Sequence, residues 1–373
     1  MLARVARALG DAMHRWPRVT VALTALLSSA LAALPFGYPF RLLSRFLDGP
    51  FYIVVAKTFY AISASDATAV TGLDRTYYAS HLPLYPALVR LLAPLAGYAP
   101  GLLLATLLTF VASALLFHEL LARTRWVRSP LWTTALYCVL PPRWVVYHTA
   151  GATEPLLFCC LFASLLAWEQ RRAPLVALCV CLASLTRVTG ILLLPAYALL
   201  FALERDWRAL RWIAASGLGL VLLCAWHHVQ LGDALALLRY NQGKLGIVRW
   251  PPGSLLLASA ATPAYQTSEY YLLTYLLYGM GTLYLWDRRP LFVISAIYYT
   301  FTVLLFHADI GRFFLTIAPF ALLVAFDRVL CERPARLAVL LALPFVYAYA
   351  WGYFQQNLLS DYYYEKIMIF VEP

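Results

Sequence analysis

Charge is scarce in this chain, and so is every feature that divides a soluble protein into parts. Of 373 residues only 13% are Asp, Glu, Lys or Arg while 62% are hydrophobic, where a soluble domain has roughly a quarter charged. A soluble core cannot absorb that much apolar surface. No linker, low-complexity tract or internal repeat interrupts the sequence. The cysteines are few: Cys138, Cys159, Cys160, Cys179, Cys181, Cys224 and Cys331 lie in or beside apolar runs, never as a spaced ligand set. That spacing indicates neither disulfides nor zinc and reads as small buried hydrophobes. The apolar run beginning near Val19 follows Arg4, Arg7, Arg15 and Arg18 but lacks a small-residue cleavage site, so it reads as an uncleaved first span.

What the chain does contain is a succession of apolar stretches of about 18 to 20 residues, the length that crosses a hydrocarbon slab about 30 Å thick. The mean hydropathy is +0.71. The formal net charge of +11 does not point to nucleic acid, because the arginines sit at the ends of apolar segments, where they orient helices. The expectation is an all-α integral membrane protein forming a single polytopic domain over 1–373, with about eleven transmembrane helices. The spans fall at about 19–40, 100–122, 130–148, 154–170, 174–188, 189–204, 211–228, 269–286, 290–306, 313–327 and 336–354.

With the N-terminus in the cytoplasm, the inside junctions are Arg123/Arg125/Arg128, Arg171/Arg172, Arg205/Arg208/Arg211, Arg288/Arg289 and Arg328/Arg333/Arg336. Together with the N-terminal arginines they hold 17 of the 29 Lys and Arg residues, as positive charge retained on the cytoplasmic side requires. The other face receives a first extracytoplasmic loop over 41–99, turns at Gly151–Glu154 and Arg187–Gly190, a second long loop over 229–268, the short loop His307–Arg312 and an aromatic tail. Pro83–Leu95 is apolar, but a crossing there would invert every later loop. Its three prolines and Arg90 suit a short interfacial helix.

Chemistry is therefore sought on the outer face. Asp48 follows Phe46-Leu47 and precedes Gly49-Pro50, so a sharp turn holds a carboxylate at the membrane surface. It either caps the helix that follows or serves as a base, and the two roles are compatible. Glu154, before Pro155, starts a span as an ordinary helix N-terminus would, and is placed to pair with Arg187. Arg187 lies between two apolar runs, where a charge costs about 2.5–3.5 kcal/mol near a bilayer centre. The loop His307-Ala308-Asp309-Ile310-Gly311-Arg312 gathers an imidazole, a carboxylate and a guanidinium. An arginine in a poorly hydrated site binds phosphate, while an anchor balanced by Asp309 is the structural alternative. Tyr52, Tyr77, Tyr78 and Tyr85 either stack on a sugar or anchor the loop at the surface.

The order of these motifs is itself informative: Asp48-Gly-Pro-Phe-Tyr52, His81-Leu-Pro-Leu-Tyr85-Pro, Thr153-Glu-Pro, Leu185-Thr-Arg-Val-Thr-Gly190 and Gly311-Arg-Phe. From about Arg41 to Pro319 the chain resembles the GT-C superfamily of polytopic glycosyltransferases, and within it the PIG-V-like mannosyltransferases and their prokaryotic relatives. The resemblance implies a polyprenyl- or dolichyl-phosphate sugar donor, an active site on the extracytoplasmic face of a bacterial or archaeal plasma membrane, inversion at the anomeric carbon and Asp48 as the catalytic residue. It implies transfer of a hexose, most readily mannose, to a glycan, lipid or protein acceptor. Arg312, Arg187, His307 and Lys57 would hold the donor phosphate, with Tyr52, His81, Tyr85, Glu154 and Asp309 near the substrate. Family members often carry Trp where Leu47 stands, and no paired acidic motif flanks Asp48. A divalent metal ion, Mg2+ or Mn2+, is the one cofactor that the resemblance raises, and no metal-ligand set is read from the sequence. Two other classes share many spans and few charges. A transporter or lipid flippase would place its charges near the midplane in two related halves. A polyprenyl-pyrophosphate polymer ligase would carry one large loop rich in Arg and His, whereas 229–268 has Arg239, Lys244 and Arg249 but no His beyond its edge.

Overall fold

The computed structural model describes residues 15–36, 39–244, 265–305 and 309–372. Among them the chain is helical, and its only β-pairing is an isolated bridge between Phe46 and Leu358. In chain order the main helices are α1 (Pro17–Ala33), α2 (Pro39–Ser44), α3 (Gly49–Thr58), α4 (Ala64–Thr71), α5 (Leu84–Ala96), α6 (Tyr98–Thr124), α7 (Pro130–Val139), α8 (Pro142–Tyr147) and α9 (Glu154–Glu169). There follow α10 (Ala173–Thr186), α11 (Leu193–Leu203), α12 (Trp207–Ser216), α13 (Leu218–Leu231), α14 (Tyr265–Leu283), α15 (Arg289–Leu304), α16 (Ile310–Phe314), α17 (Arg333–Phe354) and α18 (Asp361–Val371).

Except for 313–327, each apolar run marked as a span largely overlaps one of these helices or a consecutive pair. Among the described residues three stretches are long and apolar enough to cross a membrane: Tyr98–Thr124, Trp207–Leu231 and Arg333–Phe354. The others are shorter or broken. The 130–148 run divides at Pro141-Pro142 into α7 and α8, as proline in a helix interior requires. The 313–327 run winds through short irregular turns after α16.

Packing sorts the helices by their sequences. α9 is apolar on every side, with Leu157, Phe158, Leu161, Phe162 and Leu165 all buried, and a helix hydrophobic all round belongs inside. It packs between α6 and α10. The peripheral helices instead turn leucines outward: Leu222 on α13 is 62% exposed, Leu273 on α14 65% and Phe345 on α17 75%. Exposed apolar surface on this scale marks a non-aqueous partner, here lipid.

The first outer loop forms short helices, as its composition indicates. α5 corresponds to the interfacial segment, with Pro94 inside it, and lies along α6. α3 is almost wholly buried through Tyr52, Ile53, Val54, Val55 and Ala56. The C-terminal helix α18 packs on α3 and α4. Just before it, Leu47 N donates to Asn357 O at 2.9 Å and Leu359 N to Arg45 O at 3.0 Å. Arg45 adds bonds to Leu359 O and to Asp361. The residues leading into Asp48 are thereby tied to the far end of the chain.

Candidate active site

Asp48 occupies the N-cap position of α3, yet its side chain makes no capping bond. The turn is tight: a Cβ on Gly49 would lie 2.8 Å from Ser44 O, and Leu47 is held at φ 47°, a left-handed conformation that costs a branched side chain energy and concentrates at functional sites. The carboxylate, 31% exposed, turns away from its own helix toward Arg312, whose Nη1 donates to Asp48 Oδ2 at 3.1 Å.

Arg312 comes from α16, more than 260 positions along the chain. Its Nε donates to Glu154 Oε1 at 2.7 Å, and its guanidinium lies over the Tyr147 ring at 4.7 Å. Arg187 Nη1 donates to the same Glu154 oxygen and, at 3.5 Å, to Thr153 Oγ1. Glu154, at the first position of α9, thus pairs with Arg187 as anticipated and also joins it to Arg312. Oε2 has no hydrogen-bond partner among the described residues. Arg187 itself is extended, φ −156° and ψ 147°, and ends α10. The turn that follows can lie against α10 because residue 190 is glycine; any side chain there would run into Ala183 O.

Three of these groups, Asp48, Arg187 and Arg312, border a cavity of about 390 Å³, with Tyr52 and His81 beside them. That volume lies within the roughly 300–1,000 Å³ of small-molecule sites. Tyr77 and Ser80 of the first long loop and Leu238 and Tyr240 of the second also line it. Tyr77 stands edge-on to Tyr240 at 5.2 Å and against His81 at 5.0 Å, while Asn241 and Gln242 complete that side.

Electrostatics at the loop residues follow from this geometry. Burial pushes the Asp48 carboxyl upward, but the charge and hydrogen bond of Arg312, with the charge of Arg187, hold the group below the usual carboxylate range. Burial lowers the His81 imidazole, and neither Asp48 nor the hydrogen bond the ring donates to the Tyr77 backbone restores it, so the ring is neutral at pH 7. Burial, with the Asp48 charge, raises the Tyr52 phenol.

Asp48, Arg187, Arg312, Tyr52 and His81 therefore meet at one cavity. Glu154 lies behind the two arginines rather than in the wall. Asp309 is likewise set back: it pairs with Arg143 and accepts from Tyr147 OH at 3.0 Å. Two candidates lie elsewhere. Tyr85 is completely buried, bonding Leu102 O and Thr106 Oγ1, so its hydroxyl is occupied inside the fold. Lys57 is on α3 with Tyr52, but five residues rotate it roughly 140° around a helix, and its ammonium lies 5.8 Å from the Tyr98 ring centre. His307 lies outside the described residues, as do half of the second long loop and Arg249 within it. Arg143, Thr189, Tyr240, Asn241 and Gln242 were not singled out as candidates by the sequence; of these, Arg143 alone carried a signal, a charge inside an apolar run.

Arg312 bridges the Asp48 and Glu154 carboxylates, and among the described residues no group of three His, Cys, Asp or Glu gathers.

The chain is similar in structure to the archaeal oligosaccharyltransferase AglB from Archaeoglobus fulgidus, solved with an inhibitory peptide and a dolichol-phosphate. The TM-score is 0.53 at 13% sequence identity, covering 96% of this chain and 56% of that one. The likeness is one of fold, and the chain spans little more than half of the solved protein's length. No protein-family profile and no curated protein sequence matches the chain.

Proposed function

We propose that this protein is an inverting membrane glycosyltransferase that moves a hexose, most readily mannose, from a polyprenyl or dolichyl phosphate to an acceptor hydroxyl at the extracytoplasmic face. The observation that carries the reading is the convergence of one carboxylate and two guanidiniums on a single cavity, in a fold shared with a protein solved with a dolichol-phosphate. The eleven-span topology with a cytoplasmic N-terminus belongs to the same reading and is supported by the arginine distribution. So does kinship with the PIG-V-like mannosyltransferases, supported by the motif order.

The chemistry follows from the charges. The acceptor oxygen attacks the anomeric carbon and its proton passes to Asp48, while the bond from that carbon to the phosphate oxygen breaks and the electron pair leaves with the polyprenyl phosphate. Arg187 and Arg312 balance the phosphate charge by directed hydrogen bonds in a poorly hydrated site. Glu154 fixes both guanidiniums, which spares them the entropy of ordering when the donor arrives. An incoming phosphate also competes for Arg312, and weakening its bond to Asp48 makes the carboxylate a stronger base. His81, neutral, is available as a hydrogen-bonding group rather than as a cation.

The test uses membranes containing the protein and polyprenyl phosphate carrying radiolabelled mannose. Label should pass to a membrane acceptor with inverted anomeric configuration and release of polyprenyl phosphate. Movement of the intact labelled lipid across the bilayer without release would instead mark a flippase.

A further inference from the structure

Thr189 follows Arg187 by two residues, is 4% exposed, borders the cavity, and its Oγ1 has no hydrogen-bond partner among the described residues. Its neighbours show why this is unusual. Ser184 Oγ donates to Val180 O at 2.9 Å and Thr186 Oγ1 to Leu182 O at 2.7 Å, each bonding four residues back along α10. Extended Arg187 breaks that helical path, so Thr189 does not inherit such a carbonyl. A buried hydroxyl left unbonded is penalised and is rare in folded proteins. Here the residue lines a cavity, beside groups suited to phosphate.

Resting on the glycosyltransferase reading, we infer that Thr189 contacts one hydroxyl of the transferred sugar and sets which sugar the site accepts. Arg187 and Arg312 fix the phosphate end of the donor. What is attached to that phosphate within the same cavity is the sugar ring, whose hydroxyls both donate and accept. A site built around such a bond discriminates against a ligand lacking the hydroxyl, because the protein group is then left buried and unpaired.

The experiment is displacement of radiolabelled short-chain polyprenyl-phosphate mannose from the purified full-length protein by the unlabelled donor and by its 2-, 3-, 4- and 6-deoxy analogues. The parent donor should bind about tenfold more tightly than one of these analogues, as one neutral hydrogen bond at a buried site implies. Thr189→Val should bring that ratio near one by weakening the parent donor, and Thr189→Ser should keep it. Because each ratio compares two ligands on one variant, a partly unfolded preparation does not alter it. Unchanged discrimination in Thr189→Val overturns the inference alone, as does equal weakening of every donor, which would put the hydroxyl on the phosphate. Failure of the wild-type protein to bind any of these donors overturns the glycosyltransferase reading and the inference with it.

Discussion

Asp48 and Arg312 stand 264 positions apart in the chain, yet a 3.1 Å hydrogen bond joins their carboxylate and guanidinium at the wall of one cavity. The bond replaces the helix cap that Asp48 is placed to make. A residue that forgoes a local partner for a distant one is held by the fold for another purpose, and four consequences follow from how it is held.

Arg312 makes two directed bonds and stacks on Tyr147, which a lysine cannot reproduce with one compact ammonium. Arg312→Lys should therefore weaken donor binding by about tenfold, the equivalent of one charge-assisted hydrogen bond, as read by equilibrium displacement of labelled donor. Wild-type affinity in this variant would reduce Arg312 to a generic positive charge.

Glu154 answers two arginines, and its side chain is 3% exposed. Glu154→Gln leaves both guanidiniums buried with one carboxylate, Asp48, between them. Breaking a buried pair from one side costs about 3–5 kcal/mol, so thermal unfolding in detergent should shift sharply downward. A change equivalent to less than about 1 kcal/mol would mean that these charges are hydrated or paired elsewhere.

Asp48 sits below the usual carboxylate range, so it is ionised throughout the neutral region and competent as a base there. The dependence of kcat/KM on pH should show no loss between about pH 8 and 5 that traces to this group. The sign for stability agrees. A lowered folded pKa contributes stability that is present above the unfolded carboxyl pKa and is lost as pH falls through the folded one. An acid limb near neutrality that disappears in Asp48→Asn would show the carboxyl to be raised instead.

Much of this arrangement was legible in the sequence, for physical reasons that also set its limits. Apolar length locates α6, α17 and the α12–α13 pair, because a run long enough to span hydrocarbon has few other uses. A charge between two apolar runs pointed to Arg187, and the turns and short loops at the ends of apolar runs pointed to Asp48, Glu154 and Arg312. That Arg312 would bridge Asp48 and Glu154 was not legible, because contact between α3, α9 and α16 depends on helix packing rather than on local pattern. The same holds for Tyr85 and Lys57. Both belong to suggestive motifs, but helical rotation and burial decide which side chain of a motif faces the cavity. Thr189 carried no charge to mark it, and only the end of α10 leaves its hydroxyl unbonded.

The central claim is that Asp48 takes the acceptor proton. Asp48→Asn tests it most directly, with labelled polyprenyl-phosphate mannose used for binding and for transfer on the same preparation. Donor binding should be retained, or tightened by release of Arg312 from its carboxylate, while transfer falls by about 10²–10⁴-fold, the range for loss of a general base. Full transfer by a folded Asp48→Asn protein would contradict the account.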